Sequence, residues 1–112
     1  MTEEEKIKRI RELNDQLRTT GLGNGRAVAV ASLAQADPDL ISKVVTAMRE
    51  FTDFNEGDDP YGEHDFGAFT VDNERFIFKI DYFALDELHG SEHPEDPTVT
   101  IRVCTLLYAS DY

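Results

Sequence analysis

The stretch Phe76-Ile77-Phe78-Lys79-Ile80-Asp81-Tyr82 decides how this sequence is read. In an extended chain Phe76, Phe78, Ile80 and Tyr82 fall on one face, while Lys79 and Asp81 fall on the other. Side chains alternate across a strand, so this pattern predicts a strand with one buried face. Phe66 to Val71 forms a second such run, and Asp72-Asn73-Glu74 supplies the turn chemistry between them. A β-hairpin is therefore the expected centre of the fold.

Toward the N-terminus, Asp37-Pro38 marks a helix start, with Asp37 as N-cap and Pro38 at the first helical position. Leu40, Ile41, Val44, Val45, Met48 and Phe51 follow at helical spacing. The small and branched run Arg26 to Leu33 suits a buried strand, although periodicity alone does not exclude helix there. Residues 1–20 read as an amphipathic helix. Thr2 and Glu5 form a capping box, Glu3, Glu4 and Glu5 complement the helix dipole, and Ile7, Ile10, Leu13 and Leu17 make one apolar stripe. Gly21-Leu22-Gly23-Asn24-Gly25 ends it, because glycine reaches the left-handed cap conformation without a Cβ penalty.

Toward the C-terminus, Asp96-Pro97 repeats the cap signature and predicts a closing helix lined by Val99, Val103, Leu106 and Leu107. The alternation of Val99-Thr100-Ile101-Arg102-Val103 leaves a strand open as the other reading of 98–109. The expected order is α-β-α-β-β-α. It describes one α+β domain over residues 1–112, an antiparallel sheet with helices packed on one face. A chain of 112 residues with 40% apolar side chains can close one such core without staples. The single cysteine, Cys104, excludes an intrachain disulfide framework and any four-cysteine zinc site. No apolar run approaches the roughly 20 residues of a membrane span, and Met1-Thr2-Glu3-Glu4-Glu5 is a poor secretory start, so the expected location is the cytoplasm.

Charge is distributed unevenly. Residues 1–50 hold eight acids and eight bases, whereas residues 51–112 hold fifteen acids against Arg75, Lys79 and Arg102, which places the whole net charge of −12 in the second part. Two segments there contain no lysine or arginine. The first, 53–65, carries Asp53, Glu56, Asp58, Asp59, Glu63 and Asp65. The second, 85–96, carries Asp86, Glu87, Glu92, Glu95 and Asp96. Their Gly and Pro residues make both of them loops. A field of this sign repels nucleic acid and anionic membrane, and it attracts basic surfaces.

One cluster has ligand-like chemistry: His64, Asp65, Asp81, His89 and His93. His89 and His93 have the spacing that aims two imidazoles at one metal on a helix, but Gly90 and Pro94 argue for a loop there. The plainer alternative has His64 hydrogen-bonded within the 53–65 loop and the other two histidines in solvent. A calcium loop counted from Asp53 fails, since its sixth position is Asp58 and its twelfth is His64. Gly21 to Gly25 leaves a helix and enters a strand, the reverse of a phosphate-binding loop. Cys104, between Val103 and Leu106, reads as a small buried hydrophobe.

Asp59-Pro60-Tyr61-Gly62-Glu63-His64-Asp65-Phe66-Gly67, Lys79-Ile80-Asp81-Tyr82-Phe83, His89-Gly90-Ser91 and Asp96-Pro97 resemble the bacterial family catalogued as domain of unknown function 3768. The likeness runs from the helix around Arg11 to Asp15 through to Tyr112. It implies no assigned activity and no catalytic residue, and it suggests a passenger of mobile elements.

Three functional expectations follow. The first is a small interaction protein that docks on a partner with a basic surface, such as a nucleic-acid-processing enzyme. Its carboxylates would imitate phosphates, in the manner of an anti-CRISPR or anti-restriction inhibitor. The residues expected to carry this are Asp53, Glu56, Asp58, Asp59, Glu63 and Asp65, with Glu87, Glu92, Glu95 and Asp96 in support. The second is a metal-binding or acid–base enzyme built on His64, Asp65, Asp81, His89 and His93. The third is a homodimer or larger homo-oligomer acting as a structural adaptor. No cofactor, direct nucleic-acid contact or membrane contact is expected.

Overall fold

A computed structural model describes residues 1–112. Its elements are α1 (Glu3–Thr20), β1 (Gly25–Ala29), α2 (Ala31–Ala34), α3 (Pro38–Glu50), β2 (Phe66–Val71), β3 (Glu74–Phe83) and β4 (Ile101–Tyr108), followed by a 3-10 turn at Ala109–Asp111. The class is α+β, with one four-stranded sheet in the order β1-β4-β3-β2.

The hairpin forms as its alternation dictates. β2 and β3 pair antiparallel, with Phe69 opposite Phe76 and Val71 opposite Glu74. Asp72 and Asn73 take φ of 51° and 65°, so both central turn residues are left-handed, as a two-residue hairpin of matching twist requires. α1 carries the capping box on Thr2 and Glu5 and stops at Gly21, whose N–H bonds to the Leu17 carbonyl. α3 starts at Asp37, whose side chain accepts the Asp39 N–H at 2.8 Å.

The core lies between one sheet face and the helices. Leu17 from α1, Leu33 from α2 and Val44 and Met48 from α3 meet Phe76, Phe78, Ile80, Cys104 and Leu106. Phe51, just past α3, packs edge-on against Phe78 with centroids 5.5 Å apart. Cys104 is fully buried, and burial pushes its thiol up to about 11.

Three local expectations are corrected. Residues 101–108 form a strand, not a closing helix. Asp96 does accept the Thr98 N–H, at 2.9 Å, but this closes a turn and the chain then extends. β-branched Val99, Thr100, Ile101, Val103 and Thr105 favour that extension. β4 occupies the middle of the sheet, so Val103, Cys104, Leu106 and Leu107 are buried on both faces. A strand covered on both sides loses the alternation that marks a half-exposed one. The sheet is also mixed rather than wholly antiparallel, because β1 runs parallel to β4 with Gly25 beside Arg102. Finally, the run 26–33 divides: β1 ends at Ala29 as an exposed edge, and Ala31–Ala34 turns helical to bury Leu33.

Candidate functional site: a polar network beneath two acidic loops

α1 carries polar residues within its buried stripe. Asn14 and Arg18 follow Ile10 at four-residue intervals, and both are buried with it. Asn14 is fully buried, and its amide donates to the Glu63 carbonyl at 3.0 Å and to the Tyr82 hydroxyl at 2.8 Å. The Arg102 Nε donates to the Asn14 Oδ1 at 2.8 Å. Tyr82 in turn donates to the Glu63 Oε1 at 2.7 Å. One asparagine thus ties α1 to the first acidic loop, to β3 and to β4. The Arg102 guanidinium lies 5.2 Å from the Tyr82 ring centre and also donates to the Pro94 carbonyl, so the second acidic loop joins the same network. Burial lowers the Arg102 pKa and raises that of Tyr82.

A second set holds His64. Its Nδ1 lies 2.9 Å from the Asp15 Oδ1, and its ring stacks on Phe54 with centroids 3.7 Å apart. Asp15 also accepts from Arg18 at 3.1 Å. Arg18 donates to the Met48 carbonyl at 2.8 Å and to the Phe51 carbonyl at 3.0 Å, which satisfies the end of α3. His64 itself is left-handed, at φ 58°. The conformation is held by Asp59, whose carboxylate accepts the N–H groups of Glu63 at 3.0 Å and His64 at 3.2 Å.

The proposed metal cluster is not brought together. His64 pairs with Asp15, His89 with Asp86, His93 with Glu95, and Asp81 with Lys79, each a separate contact. No group of three or more His, Cys, Asp or Glu side chains is positioned to hold a metal ion. Asp15 is placed to orient His64 for proton transfer, but the imidazole hydrogen-bonds to no side chain other than Asp15, and no nucleophile is among its partners. What the geometry plainly does is fix the loop.

The acidic loops, in contrast, do meet. A cleft of about 420 Å³ is lined by Glu63 from the first loop and by Glu92 and Glu95 from the second. Glu3, Lys6, Ile7 and Ile10 of α1 form another wall, and Tyr61 and Pro94 complete it. Asp53, Glu56 and Asp58 are exposed farther along the first loop. Other acids have local tasks. Asp59 is 6% exposed and turned inward, so it is not a surface group. Glu87 pairs with Arg26 at 2.7 Å, and Asp96 accepts from Thr98.

Asp65 lies half-buried beside this network. Burial first, then Glu63, Asp59 and Asp81 nearby, push its carboxyl up to about 6 from 3.8. Its neutral form is the one the fold favours, so its contribution to stability is full below about 4 and is lost as pH rises through about 6. Asp65→Asn should therefore be more stable than the wild type at pH 7, by about 1 kcal/mol once solvent screening is allowed for. Urea melts at pH 4 and pH 7 check this: the two proteins should converge at the lower pH.

Sequence reasoning missed Asn14, Asp15, Arg18, Tyr82 and Arg102 as a unit. A signal was available in α1, where polar side chains interrupt the apolar stripe at core positions. Fold and site together define a small acidic α+β domain whose two charged loops are anchored on one buried polar network. Residues 27–111 match the family described as Protein of unknown function (DUF3768), and the chain belongs to that family. The match begins after α1, the helix that supplies Asn14, Asp15 and Arg18. No curated protein and no solved structure matches the chain. No helix is long and apolar enough to cross a membrane.

Proposed function

We propose that the protein is a small acidic interaction module that docks its loop cleft on a basic protein surface. The observation that carries this reading is the convergence of Glu63, Glu92 and Glu95, from two separate loops, with Glu3 in one cleft. Of the acids in the two loops, only Glu87 is paired with a lysine or arginine, and Asp53, Glu56, Asp58 and Glu92 are exposed with no cation matched to them. The buried network fixes the loop backbones before any partner arrives, which lowers the ordering cost of association. Apolar Ile7, Tyr61 and Pro94 between the acids suit the aliphatic stem of a lysine or arginine.

The finer reading is inhibition by phosphate mimicry. Duplex DNA presents about one charge per 1.7 Å of axis, and a rigid array of carboxylates competes for the same cationic groove. An anti-CRISPR or anti-restriction role belongs to this class. The test uses the triple variant Glu56→Lys, Asp58→Lys and Glu92→Lys, three exposed positions on the two acidic loops. Wild-type protein immobilised at low salt should retain a host protein that elutes in a salt gradient and whose binding to duplex DNA it blocks. The variant should slow association by about tenfold or more and flatten its salt dependence. Equal retention of that protein by the variant, or DNA binding untouched by the wild type, would overturn the proposal.

A further inference from the structure

β1 is unusual within this sheet. It contains no buried residue, and Arg26, Ala27, Val28 and Ala29 are all exposed. Its hydrogen-bonding phase follows from two bonds to β4. The Arg102 N–H donates to the Asn24 carbonyl, and the Val30 N–H donates to the Leu106 carbonyl. Even-numbered residues therefore bond to β4, and Gly25, Ala27 and Ala29 turn their backbone groups outward. Such an open edge is a template for another strand. Apart from Arg26 its side chains are small, and that one charge is already matched by Glu87 at 2.7 Å.

We infer that a second copy of this chain docks along this edge, with the two β1 strands pairing antiparallel about a two-fold axis. The shared symmetry centre is Ala27, whose N–H and C=O meet those of the other Ala27. The Ala29 N–H then reaches the Gly25 carbonyl across the axis, and Arg26 lies opposite Val28. Charge selects a second copy as the occupant. The edge itself is charge-balanced, because Arg26 is the only charge in β1 and Glu87 matches it, so two copies of this edge meet without net repulsion. In this register the two Arg26 residues are diagonal neighbours roughly 7–8 Å apart. The two Arg26–Glu87 pairs so become a quartet of alternating sign. The Arg26 stem also covers Val28, which is 39% exposed in the single chain. The result is one continuous sheet of eight strands with isologous contacts.

A contact of five residues per copy is small, so assembly should be concentration-dependent, with a Kd on the order of 10 μM. Sedimentation velocity on the full chain should show a mass rising from 12.7 kDa toward twice that value across a dilution series. Ala27→Pro removes an outward N–H that bonds nothing within the chain, so it should remain monomeric with an unchanged Tm. Ala27→Cys places two thiols about 5.5 Å apart at Cα, within the roughly 4.4–6.8 Å a disulfide spans. It should cross-link on oxidation, while Thr70→Cys on the opposite edge strand and the buried Cys104 should not. A mass of 12.7 kDa at every concentration would overturn the inference, as would a dimer that survives Ala27→Pro or equal cross-linking from Thr70→Cys. If Ala27→Pro fails to fold, the cross-linking comparison decides. Pairing of the edge with an unrelated extended peptide, with no self-association, counts against it as well.

Discussion

Asn14→Ala is expected to lower stability by about 3–4 kcal/mol, a fall in Tm on the order of 15 °C. The magnitude rests on what the asparagine leaves behind. Its amide is the donor to the Glu63 carbonyl and to the Tyr82 hydroxyl, and its carbonyl is the acceptor for Arg102. Arg102 is 3% exposed and pairs with no carboxylate, so losing this acceptor leaves its buried Nε unpaired, with the Pro94 carbonyl the one hydrogen-bond acceptor left to the guanidinium. Breaking a buried charged contact from one side commonly costs about 3–5 kcal/mol. Asn14→Leu, which fills the space without the polar atoms, should be nearly as damaging. Lys8→Ala on the exposed side of α1 should change stability by less than about 0.5 kcal/mol. Urea denaturation of the three variants is the measurement. A loss below about 1 kcal/mol for Asn14→Ala would mean that the network does not anchor the loops.

Gly67→Ala is the second large effect, with an expected loss of about 2–3 kcal/mol. Gly67 is buried in β2 opposite Phe78. A Cβ at this position would run into the rings of both Phe51 and Phe78. Those rings are wedged in turn against Phe54 and Phe69, so neither can step aside without disturbing the cluster. The glycine is therefore required for close approach rather than for backbone freedom. Gly90→Ala offers the contrast, because the added methyl meets only the Tyr82 carbonyl oxygen, at 3.9 Å. Thermal melts should separate the two substitutions clearly. Phe54 also stacks on His64, so Gly67→Ala should loosen the 53–65 loop before the whole domain unfolds.

The elements legible from the sequence were those whose periodicity survives in the folded chain. α1 and α3 each keep one exposed face, and β3 sets buried Phe76, Phe78 and Ile80 against partly exposed Lys79 and Asp81, so their apolar spacing records the fold. β4 erased that record by lying in the middle of the sheet with both faces covered. β1 misled in the opposite direction: Ala27, Val28 and Ala29 look like core residues and instead form an exposed edge. At the site, the acidic loops were visible from composition alone. Their anchoring was not, because Asn14 meets Tyr82 across 68 residues and Arg102 across 88. Local pattern carries no trace of such distant partners. Asp59 shows the same limit. As one of six acids in the 53–65 segment it reads as surface charge, yet its carboxylate is the clamp that holds His64 left-handed.

The position of β4 between β3 and β1 has a consequence for how the molecule is made. Gly25 finds its partner only at Arg102, and β3 completes its own pairing only with residues 101–108. Until that late segment has left the ribosome, β1 has no strand to pair with and β3 keeps one bare edge. Search over long loops slows such assembly. Nascent chains of this protein should consequently be the form most exposed to chaperones and proteases.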